Sequence, residues 1–589
     1  MCGIIGIVAQ DQDVRKDAIA RALPTLAARG PDAHASVFFR HATLGHTRLS
    51  IIDLATGDQP MKDHERNLTI TFNGEIFNYK SLRRELEQKG YTFVTTSDTE
   101  VILKAYREYG DRCPEYLDGQ FAFAIWDEDR ERLFMARDRF GEKPLFYSVR
   151  DGMFVFASEI KSLIATNLVR TTIDRVSLDN YLSLYFIPPW RTIYRDITPL
   201  LPAHRAVYEG GKLTTERYWT ITHDPVSASF EEAAREVRRM LAHSAESRMV
   251  ADVEVGVFLS GGIDSSIIAA LSQKHATKPL KSFAAGFDAQ INELPYAREV
   301  AAHVGTDHYE RVIPVSLQDI RAVTRYFDEP LGDSSNVPTA LIAQLAREQV
   351  SVALSGDGGD ELFFGYGHYR AQWHLPAYKK ALALLLGYTP DALYRRSHLT
   401  MFSVAERRRL FKDTESIEYD PTVHLDLTAA TTPLQRISLL DMYLKLPGDM
   451  LTKVDRSSMM HSLEVRSPFL NHTLAQFAFN LPDAYKTSRT QGKVILEKAC
   501  GDLLPASVFT RKKQGFGAPV KHWLTDASVR KLVEEMFMEP RVGAFLHPDY
   551  VRTYVEGFYS RGTVGGHKFW MLVALELWMR EHDGLYDID

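Results

Sequence analysis

A cysteine occupies the second position of this sequence, directly after the first methionine. Removal of Met1 would leave the thiol of Cys2 beside its own free α-amine. An α-amine has an unperturbed pKa of about 8, so it can accept the thiol proton near neutral pH without help from a histidine. The pattern predicts an N-terminal nucleophile, whereas for Cys2 taken alone an inert buried cysteine is the alternative.

Four polar runs downstream of Cys2 supply side chains that suit the hydrolysis of an amide. They are RGPDAH from Arg29, GHTRLSIID from Gly45, FNGEIFNY from Phe72 and SDTE from Ser97. An arginine can bind a carboxylate through two parallel hydrogen bonds, and a side-chain amide with a backbone N–H can stabilise an oxyanion. The structural alternatives are a hairpin turn at Asn73-Gly74 and a helix capping box from Ser97 to Glu100. The joint occurrence of these runs with Cys2 favours the chemical interpretation.

Two glycine-rich turns in the second half of the chain have the composition of a phosphate site. The first is VEVGVFLSGGIDSS, and the second is LSGDGGDELFFGY from Leu354 to Tyr366. A glycine turn between a strand and a helix lets backbone amides approach phosphate, and the first run has neither the GxxxxGK[ST] nor the GxGxxG pattern. At the carboxyl ends of parallel strands, Asp264 and Asp360 would meet in one crevice and could hold Mg²⁺ against a triphosphate. Purely structural or solvated turns are the alternative.

In the order of its motifs, the chain from residue 1 to about residue 210 resembles the class II glutamine amidotransferases. The resemblance implies a four-layer αββα sandwich in which Cys2 attacks glutamine. It implies that Arg48 binds the α-carboxylate of glutamine and that Asp98 binds the α-ammonium group. The implied catalytic residues of this half are Cys2, Asn73 and Gly74, and the implied glutamine-binding residues are Arg48, Leu49, Ser50, Ile51, Ile52, Asn73, Gly74, Glu75 and Asp98.

The second half, with the run DMLTKVDRSSMMHSLEVRSPFLNH from Asp449, resembles the synthetase domain of asparagine synthetases. That domain carries the PP-loop of ATP pyrophosphatases, which implies that ATP is cleaved between its α and β phosphates with the help of Mg²⁺. The implied ATP-binding residues are Leu259, Ser260, Gly261, Gly262, Asp264, Ser265, Ala285, Ser355, Gly356 and Lys493, the implied metal ligands are Asp264 and Asp360, and Asp357 is the implied catalytic residue. A solvated helix lysine is the alternative for Lys493.

The distribution of strand-like and helix-like patterns predicts two domains. Short β-like runs dominate from Met1 to about Tyr218, and a cluster of Pro and Ser follows in HDPVSASF. Ser229 and Glu232 have capping-box spacing at the start of a helix. Beyond them, apolar strands alternate with helices, which predicts a doubly wound parallel sheet with a mainly helical C-terminal part. We predict a glutaminase domain at residues 1–218 and a synthetase domain at residues 229–589.

The composition excludes several classes of protein. The 589 residues include no apolar run long enough to span a bilayer, and a formal net charge of -6 gives no footprint for nucleic acid. Three scattered cysteines predict neither a disulfide framework nor a zinc site, which favours a reducing cytoplasm. The predicted partners are small molecules, namely glutamine, ATP and aspartate, and a homodimer is left open.

Two runs that bear on the choice of the acceptor carboxylate differ from the pattern of many asparagine-forming relatives. Those relatives carry SGEGSDE where this chain has Asp357 and Gly359, and FDEPLGDSSNVPT from Phe327 also differs. Aspartate is the leading acceptor, and cell-wall, peptide or secondary-metabolite carboxylates are alternatives. A ligase without glutaminase activity, similar to β-lactam synthetases, is disfavoured because Cys2 and Arg48 are intact. A noncatalytic paralogue is disfavoured because two reactive sites are complete.

Overall fold

The structure is a computed structural model of the chain. It describes all residues except 64, 287–292, 374–393, 395–398, 416, 418, 419, 512–519 and 589. Within the described part of the chain, no helix is long and apolar enough to cross a membrane. The three cysteines are free thiols, and all of them are buried.

The first half of the chain forms two antiparallel sheets of six strands. Its strands are β1 (Gly3–Val8), β2 (Ala33–Phe38), β3 (Ala42–Arg48), β4 (Met61–Asp63), β5 (Leu68–Ile76), β6 (Gly119–Asp127), β7 (Arg132–Arg137), β8 (Phe146–Arg150), β9 (Met153–Ala157), β10 (Thr198–Pro199), β11 (His204–Glu209) and β12 (Lys212–Arg217). The strand orders are β10-β8-β9-β1-β3-β2 and β12-β11-β7-β6-β5-β4. Strands that are distant in sequence, such as β1 and β9, therefore lie side by side.

Helices cover the outer faces of these two sheets. They are α1 (Gln12–Ala22), α2 (Tyr79–Gln88), α3 (Asp98–Tyr109) and α4 (Ile160–Ala165), with 3₁₀ turns at Leu23–Leu26 and Gly110–Tyr116. A further helix, α5 (Arg175–Leu184), contacts Met401, Phe402 and Met571 of the second half. Apolar side chains such as Ile4 and Ala124 fill the space between the sheets. Leu86 of α2 packs on one outer face, and Ile19 of α1 packs on the other. The predicted αββα sandwich is confirmed.

The second half of the chain contains a parallel sheet of five strands. Its strands are β13 (Val255–Phe258), β14 (Lys281–Gly286), β15 (Asp307–Val312), β16 (Val352–Leu354) and β17 (Glu464–Arg466). They lie in the order β15-β14-β13-β16-β17, and each adjacent pair is parallel. The order reverses between β13 and β16, which makes their carboxyl ends the expected place for a ligand in a doubly wound sheet.

The helices of this half pack around the sheet and then form the C-terminal part. They are α6 (Phe230–Arg248), α7 (Ile263–His275), α8 (Leu294–Val304), α9 (Leu317–Tyr326), α10 (Asn336–Arg347), α11 (Gly359–Leu362), α12 (Gly367–Trp373), α13 (Val404–Leu410), α14 (Pro433–Leu440), α15 (Leu451–Met459), α16 (His472–Asn480), α17 (Asp483–Lys486), α18 (Val494–Cys500), α19 (Ser507–Thr510), α20 (Val520–Thr525), α21 (Ala527–Met536), α22 (Pro548–Tyr559) and α23 (Gly566–Glu581). A π-helical segment, Asp441–Met450, precedes α15. The predicted doubly wound sheet with a helical C-terminal part is confirmed.

One of the two predicted capping boxes is present in the structure, and the other is a helix cap without the second hydrogen bond. At Ser229 the box is present, because its Oγ accepts from the N–H of Glu232 and the Glu232 carboxylate accepts from the N–H of Ser229. Ser97 caps α3 by accepting from the N–H of Thr99 at 3.2 Å. The carboxylate of Glu100 instead accepts from backbone N–H groups of the preceding loop, so Ser97 is a cap without a box.

Candidate functional site

Cys2 lies at the start of β1, between the two sheets of the first half. The pairing of Gly3 with Thr47 places Cys2 next to Arg48 at the end of β3. The backbone N–H of Cys2 donates to Oδ1 of Asn73 in the opposite sheet at 3.0 Å. Burial raises the pKa of the Cys2 thiol, although the nearby terminal ammonium group lowers it. A thiolate at this place therefore requires a base close to Sγ.

Asn73 and Gly74 lie within β5 and not in a hairpin turn. The Nδ2 group of Asn73 is buried, and it has no hydrogen-bond partner among the described residues. Gly74 has a φ of 146°, and a Cβ there would lie 2.0 Å from the carbonyl oxygen of Gln120. A buried donor without a partner is costly, so a free amide N–H close to Cys2 suits an oxyanion that forms on a substrate.

The guanidinium group of Arg48 is held at the end of β3 by one loop. Its Nη1 donates to Oδ1 of Asp58 at 2.7 Å, and its Nη2 donates to the carbonyl oxygen of Asp53 at 2.6 Å. Arginine has five N–H donors, so donors remain for a substrate carboxylate. The next residues run past the thiol, since Sγ of Cys2 lies 4.0 Å from the carbonyl oxygen of Leu49. This segment consists of Leu49, Ser50, Ile51 and Ile52.

Two buried carboxyl groups lie near this site, and their pKa values are both raised. Asp98 is the first residue of α3, and its Oδ2 accepts from the N–H of Ile76 at 3.0 Å. Burial raises the pKa of Asp98 to about 6, and the N–H groups of Ile76 and Thr99 offset only part of this effect. Burial, together with the charge of Glu464, raises the pKa of Glu75 well above its ordinary value. Near pH 7, Asp98 is ionised and can bind an ammonium group.

Charged residues of the second half complete the surroundings of the N-terminus. Oε2 of Glu464 lies 2.9 Å from the terminal ammonium group of Met1. Oε1 of Glu464 accepts from Gln120 at 3.1 Å and from Nε of Arg466 at 2.6 Å. Burial alone would raise the pKa of Glu464, but the terminal ammonium group and Arg466 hold it at about 2. Glu464 and Arg466 lie in the LEVR run, whose sequence alone assigns no role to either residue.

The SGGIDS loop connects β13 to α7. Gly261 has a φ of 70°, and a Cβ there would lie 2.7 Å from the backbone of Tyr296. Gly262 precedes α7, and no side chain caps the helix. The positive end of the α7 dipole therefore lies at this loop and favours a phosphate group there. The predicted phosphate residues that lie together here are Ser260, Gly261, Gly262, Asp264 and Ser265.

Lys493 connects the SGGIDS loop to the second glycine-rich loop. It is buried, and its Nζ pairs with both Asp264 of α7 and Asp360 of α11. Burial alone would lower the pKa of Lys493, but these two carboxylates raise it above its ordinary value. A Cβ at Gly359 would lie 2.6 Å from Oδ1 of Asp264. The two loops therefore pack closely and bring the predicted metal and pyrophosphate residues together.

The other predicted nucleotide residues lie along the same edge of the parallel sheet. Leu259 follows β13, and its N–H donates to the carbonyl oxygen of Phe283 in β14 at 2.8 Å. Ala285 lies in the same strand as Phe283. Ser355 and Gly356 follow β16, so all of these residues lie near the switch point of the sheet.

Asp357 lies beside a buried group of opposite charges. Its Oδ2 accepts from the hydroxyl group of Ser355 at 2.7 Å. Burial raises the pKa of Asp357, whereas Ser355 and the ammonium group of Lys453 lower it. Nζ of Lys453 donates to Asp333 at 2.8 Å and to Ser335 at 2.9 Å. Asp333 lies in the run from Phe327 and Lys453 in the run from Asp449, but the sequence alone assigns neither residue a role.

The fold and these two sites define a class of protein. A buried cysteine beside a buried side-chain amide lies in an αββα sandwich, and a glycine-rich loop with paired carboxylates lies at the switch point of a doubly wound sheet. This combination is that of the ATP-dependent glutamine amidotransferases.

Comparisons with known proteins agree with this class. A model of the glutamine amidotransferase domain matches residues 1–219, and a model of asparagine synthase matches residues 236–580. The chain is 34% identical to asparagine synthetase (glutamine-hydrolyzing) 1 of Bacillus subtilis, over 98% of this chain and 96% of that protein. It is 31% identical to asparagine synthetase (glutamine-hydrolyzing) 3 of the same organism, over 88% and 87%. It is 29% identical to the amidase chyE of Penicillium rubens, over 86% and 85%.

The chain belongs to the asparagine synthase family. It is an ATP-dependent carbon–nitrogen ligase that takes its amido nitrogen from glutamine.

The raised pKa of Asp98 predicts how the rate of glutamine hydrolysis falls at acidic pH. Only the ionised carboxylate can bind the α-ammonium group, and with a pKa of about 6 it is protonated as the pH falls below that value. We expect kcat/KM to fall about tenfold for each pH unit below 6, because kcat/KM reports groups of the free enzyme. The measurement is the pH profile of glutamate release. An Asp98→Asn variant with the same acid limb would contradict this assignment.

Lys493 pairs with both Asp264 and Asp360, which predicts that changing either carboxylate impairs the reaction of ATP. We expect Asp264→Asn and Asp360→Asn to slow pyrophosphate release by about 100-fold or more, because each would remove a charged oxygen from the predicted Mg²⁺ site. Glutamate release should change by less than about twofold, since the glutaminase site is separate. Asp502→Asn is a matched control, because Asp502 pairs with Arg238 at an exposed place. Normal pyrophosphate release by both variants would show that the two loops are only structural turns.

Proposed function

We propose that the chain is a glutamine-dependent asparagine synthetase. It hydrolyses glutamine to glutamate and ammonia, activates aspartate with ATP as β-aspartyl-AMP, and forms asparagine with release of AMP and pyrophosphate. The observation that carries the proposal is the crevice in which Lys493 joins Asp264 to Asp360, next to the opposite charges of Asp333 and Lys453.

Glutamine hydrolysis proceeds through a thioester on Cys2. The α-amine of processed Cys2 takes the thiol proton, and Sγ attacks the amide carbon of glutamine. Arg48 binds the α-carboxylate and Asp98 binds the α-ammonium group. The Nδ2 group of Asn73 and the N–H of Gly74 stabilise the oxyanion, ammonia leaves, and water then releases glutamate.

The second half activates the acceptor at the switch point. Asp264 and Asp360 provide the hard oxygen ligands that Mg²⁺ prefers, and a bound Mg²⁺ would neutralise phosphate charge. No group of three or more His, Cys, Asp or Glu side chains that could hold a metal occurs among the described residues, which is in keeping with Mg²⁺ held by two carboxylates and the triphosphate. Lys493 binds the pyrophosphate group as a compact point charge.

The acceptor carboxylate attacks the α-phosphorus, the bond to pyrophosphate breaks, and an acyl adenylate forms. Ammonia then attacks the acyl carbon, a proton leaves the nitrogen, and AMP is released. Asp357 is buried close to this centre and its pKa is raised, so it suits the acceptance of that proton.

Aspartate is an acceptor that fits the charges next to the nucleotide loops. Asp333 and Lys453 form a pair that can bind both an ammonium and a carboxylate group. Two relatives that match most of the chain are named asparagine synthetases. We also propose a cytoplasmic location, because all three cysteines are free thiols.

A second candidate is an amidotransferase with the same mechanism and another carboxylate acceptor. It is supported by the similarity to the amidase chyE and by the departures at Asp357 and Gly359. An Asp side chain is one methylene shorter than Glu, which moves the carboxylate by about 1 Å and alters the acceptor pocket while preserving its charge.

Changing Cys2 should separate the two half-reactions. We expect Cys2→Ala to abolish glutamate release but to keep amide synthesis from ammonium chloride within about twofold of the unchanged enzyme, because the synthetase site has its own residues. Cys113→Ala is the control, since Cys113 is a buried thiol of the same half. Loss of both activities in a folded Cys2→Ala protein would refute the assignment of Cys2.

A panel of carboxylate acceptors tests the proposed substrate. With ATP, Mg²⁺ and ammonium chloride, we expect aspartate to give AMP and a new amide with a kcat/KM at least about 100-fold above those of glutamate and longer carboxylates, because one methylene misplaces the reacting carboxylate. The measurement is AMP formation with mass analysis of the product. A larger carboxylate that exceeds aspartate would favour the second candidate.

A further inference from the structure

One turn of α15 contacts both halves of the chain. Asp455 of this helix accepts two hydrogen bonds from the guanidinium group of Arg29, at 2.7 Å and 3.1 Å. Arg29 belongs to the RGPD run, and both side chains are buried. This bidentate pair therefore joins the synthetase half to the glutaminase half in a geometry that few other pairs can reproduce.

A further donor of Arg29, its Nε group, contacts the backbone of Cys2. Nε of Arg29 donates to the backbone carbonyl oxygen of Cys2 at 3.0 Å. On its other side, the backbone N–H of Cys2 donates to Asn73. The backbone of Cys2 is thus held at both of its polar groups, which limits the directions in which its Sγ can point and the position of the nitrogen that becomes the α-amine when Met1 is removed.

The position of Arg29 depends on buried carboxylates. Its Nη1 also lies 3.1 Å from Oε1 of Glu159, and Arg456 lies 3.0 Å from the same oxygen. Burial alone would raise the pKa of Asp455, but Arg29 holds it below its ordinary value. If Asp455 lost its charge, Arg29 would keep, among the described residues, only Glu159, which Arg456 and Lys161 also contact. The buried charge of Arg29 would then be compensated less well.

We propose that Asp455 is a positioning residue for glutamine hydrolysis, supplied by the synthetase half and acting through Arg29 on the backbone of Cys2. This inference rests on the proposed role of Cys2 as the nucleophile. It means that the glutaminase site is complete only when the two halves are packed together.

The test is an Asp455→Asn variant of the full chain. We expect kcat for glutamate release to fall about tenfold or more, with KM for glutamine changed by less than about twofold, because Arg48 and Asp98 remain in place while the nucleophile is misplaced. The rate of Cys2 alkylation by iodoacetamide should fall in parallel. ATP binding, measured by calorimetry, should change by less than about twofold, because the SGGIDS loop does not contact Asp455.

Two further variants separate positioning from general loosening of the interface. Ser462→Ala removes a hydrogen bond from Ser462 to the carbonyl oxygen of Ala28, next to Arg29, without touching Cys2. We expect this variant to keep its glutaminase kcat within about twofold. Asp455→Glu keeps the charge, so we expect it to recover most of the lost kcat.

The outcomes are distinguishable. Equal losses of kcat in Asp455→Asn and Ser462→Ala, or equal losses in Asp455→Asn and Asp455→Glu with unchanged melting temperatures, would overturn the positioning role. So would a normal kcat in Asp455→Asn. Glutamate release that persists in Cys2→Ala would instead overturn the proposed nucleophile, whatever Asp455→Asn shows.

Discussion

The buried ion pair between Arg29 and Asp455 is the interaction on which the arrangement of the two halves depends. Two charges without solvent are costly unless each has a close partner, and breaking such a pair leaves an uncompensated charge. Within its own half, Arg29 keeps only Glu159 among the described residues, and Lys161 also contacts Glu159. Within the described part of the other half, Asp455 keeps only Arg456, at 3.8 Å. The first half therefore needs the second one next to it, and the same contact places a residue of α15 close to the nucleophile.

The residues of α15 contact both halves of the chain, because successive side chains of a helix point in different directions. Lys453 and Asp455 are two positions apart and so lie on different sides of the helix. Lys453 contacts Asp333 in the synthetase half, and Asp455 contacts Arg29 in the glutaminase half. One short helix therefore carries charged contacts in both halves. Any movement of α15 would change the contact with Asp333 and the contact with Arg29 together.

Close packing of glycine loops is a second constraint. A Cβ at Gly356 would lie 2.8 Å from Cβ of Asp264, so the two loops at the switch point approach each other only because one of them has no side chain there. This approach lets the single ammonium group of Lys493 pair with Asp264 and Asp360. The same approach places two carboxylates at the N-terminus of α7.

The sequence by itself determined the classes of structure and the local chemistry. The alternation of strands and helices and the glycine turns were sufficient for a layered α and β first half and for the parallel sheet, because these signals are local and periodic. The αββα sandwich followed only from the resemblance that the motifs around Cys2 carry. Tertiary structure decided that Asn73 lies within a strand, because the neighbouring β6 extends the pairing through Asn73-Gly74. It also decided that Glu464, held by Arg466, pairs with the N-terminus. It decided as well that Asp455 pairs with Arg29, whose Nε donates to Cys2. No spacing rule connects residues so far apart in the chain, and only the packing of the two halves brings their charges within hydrogen-bonding distance.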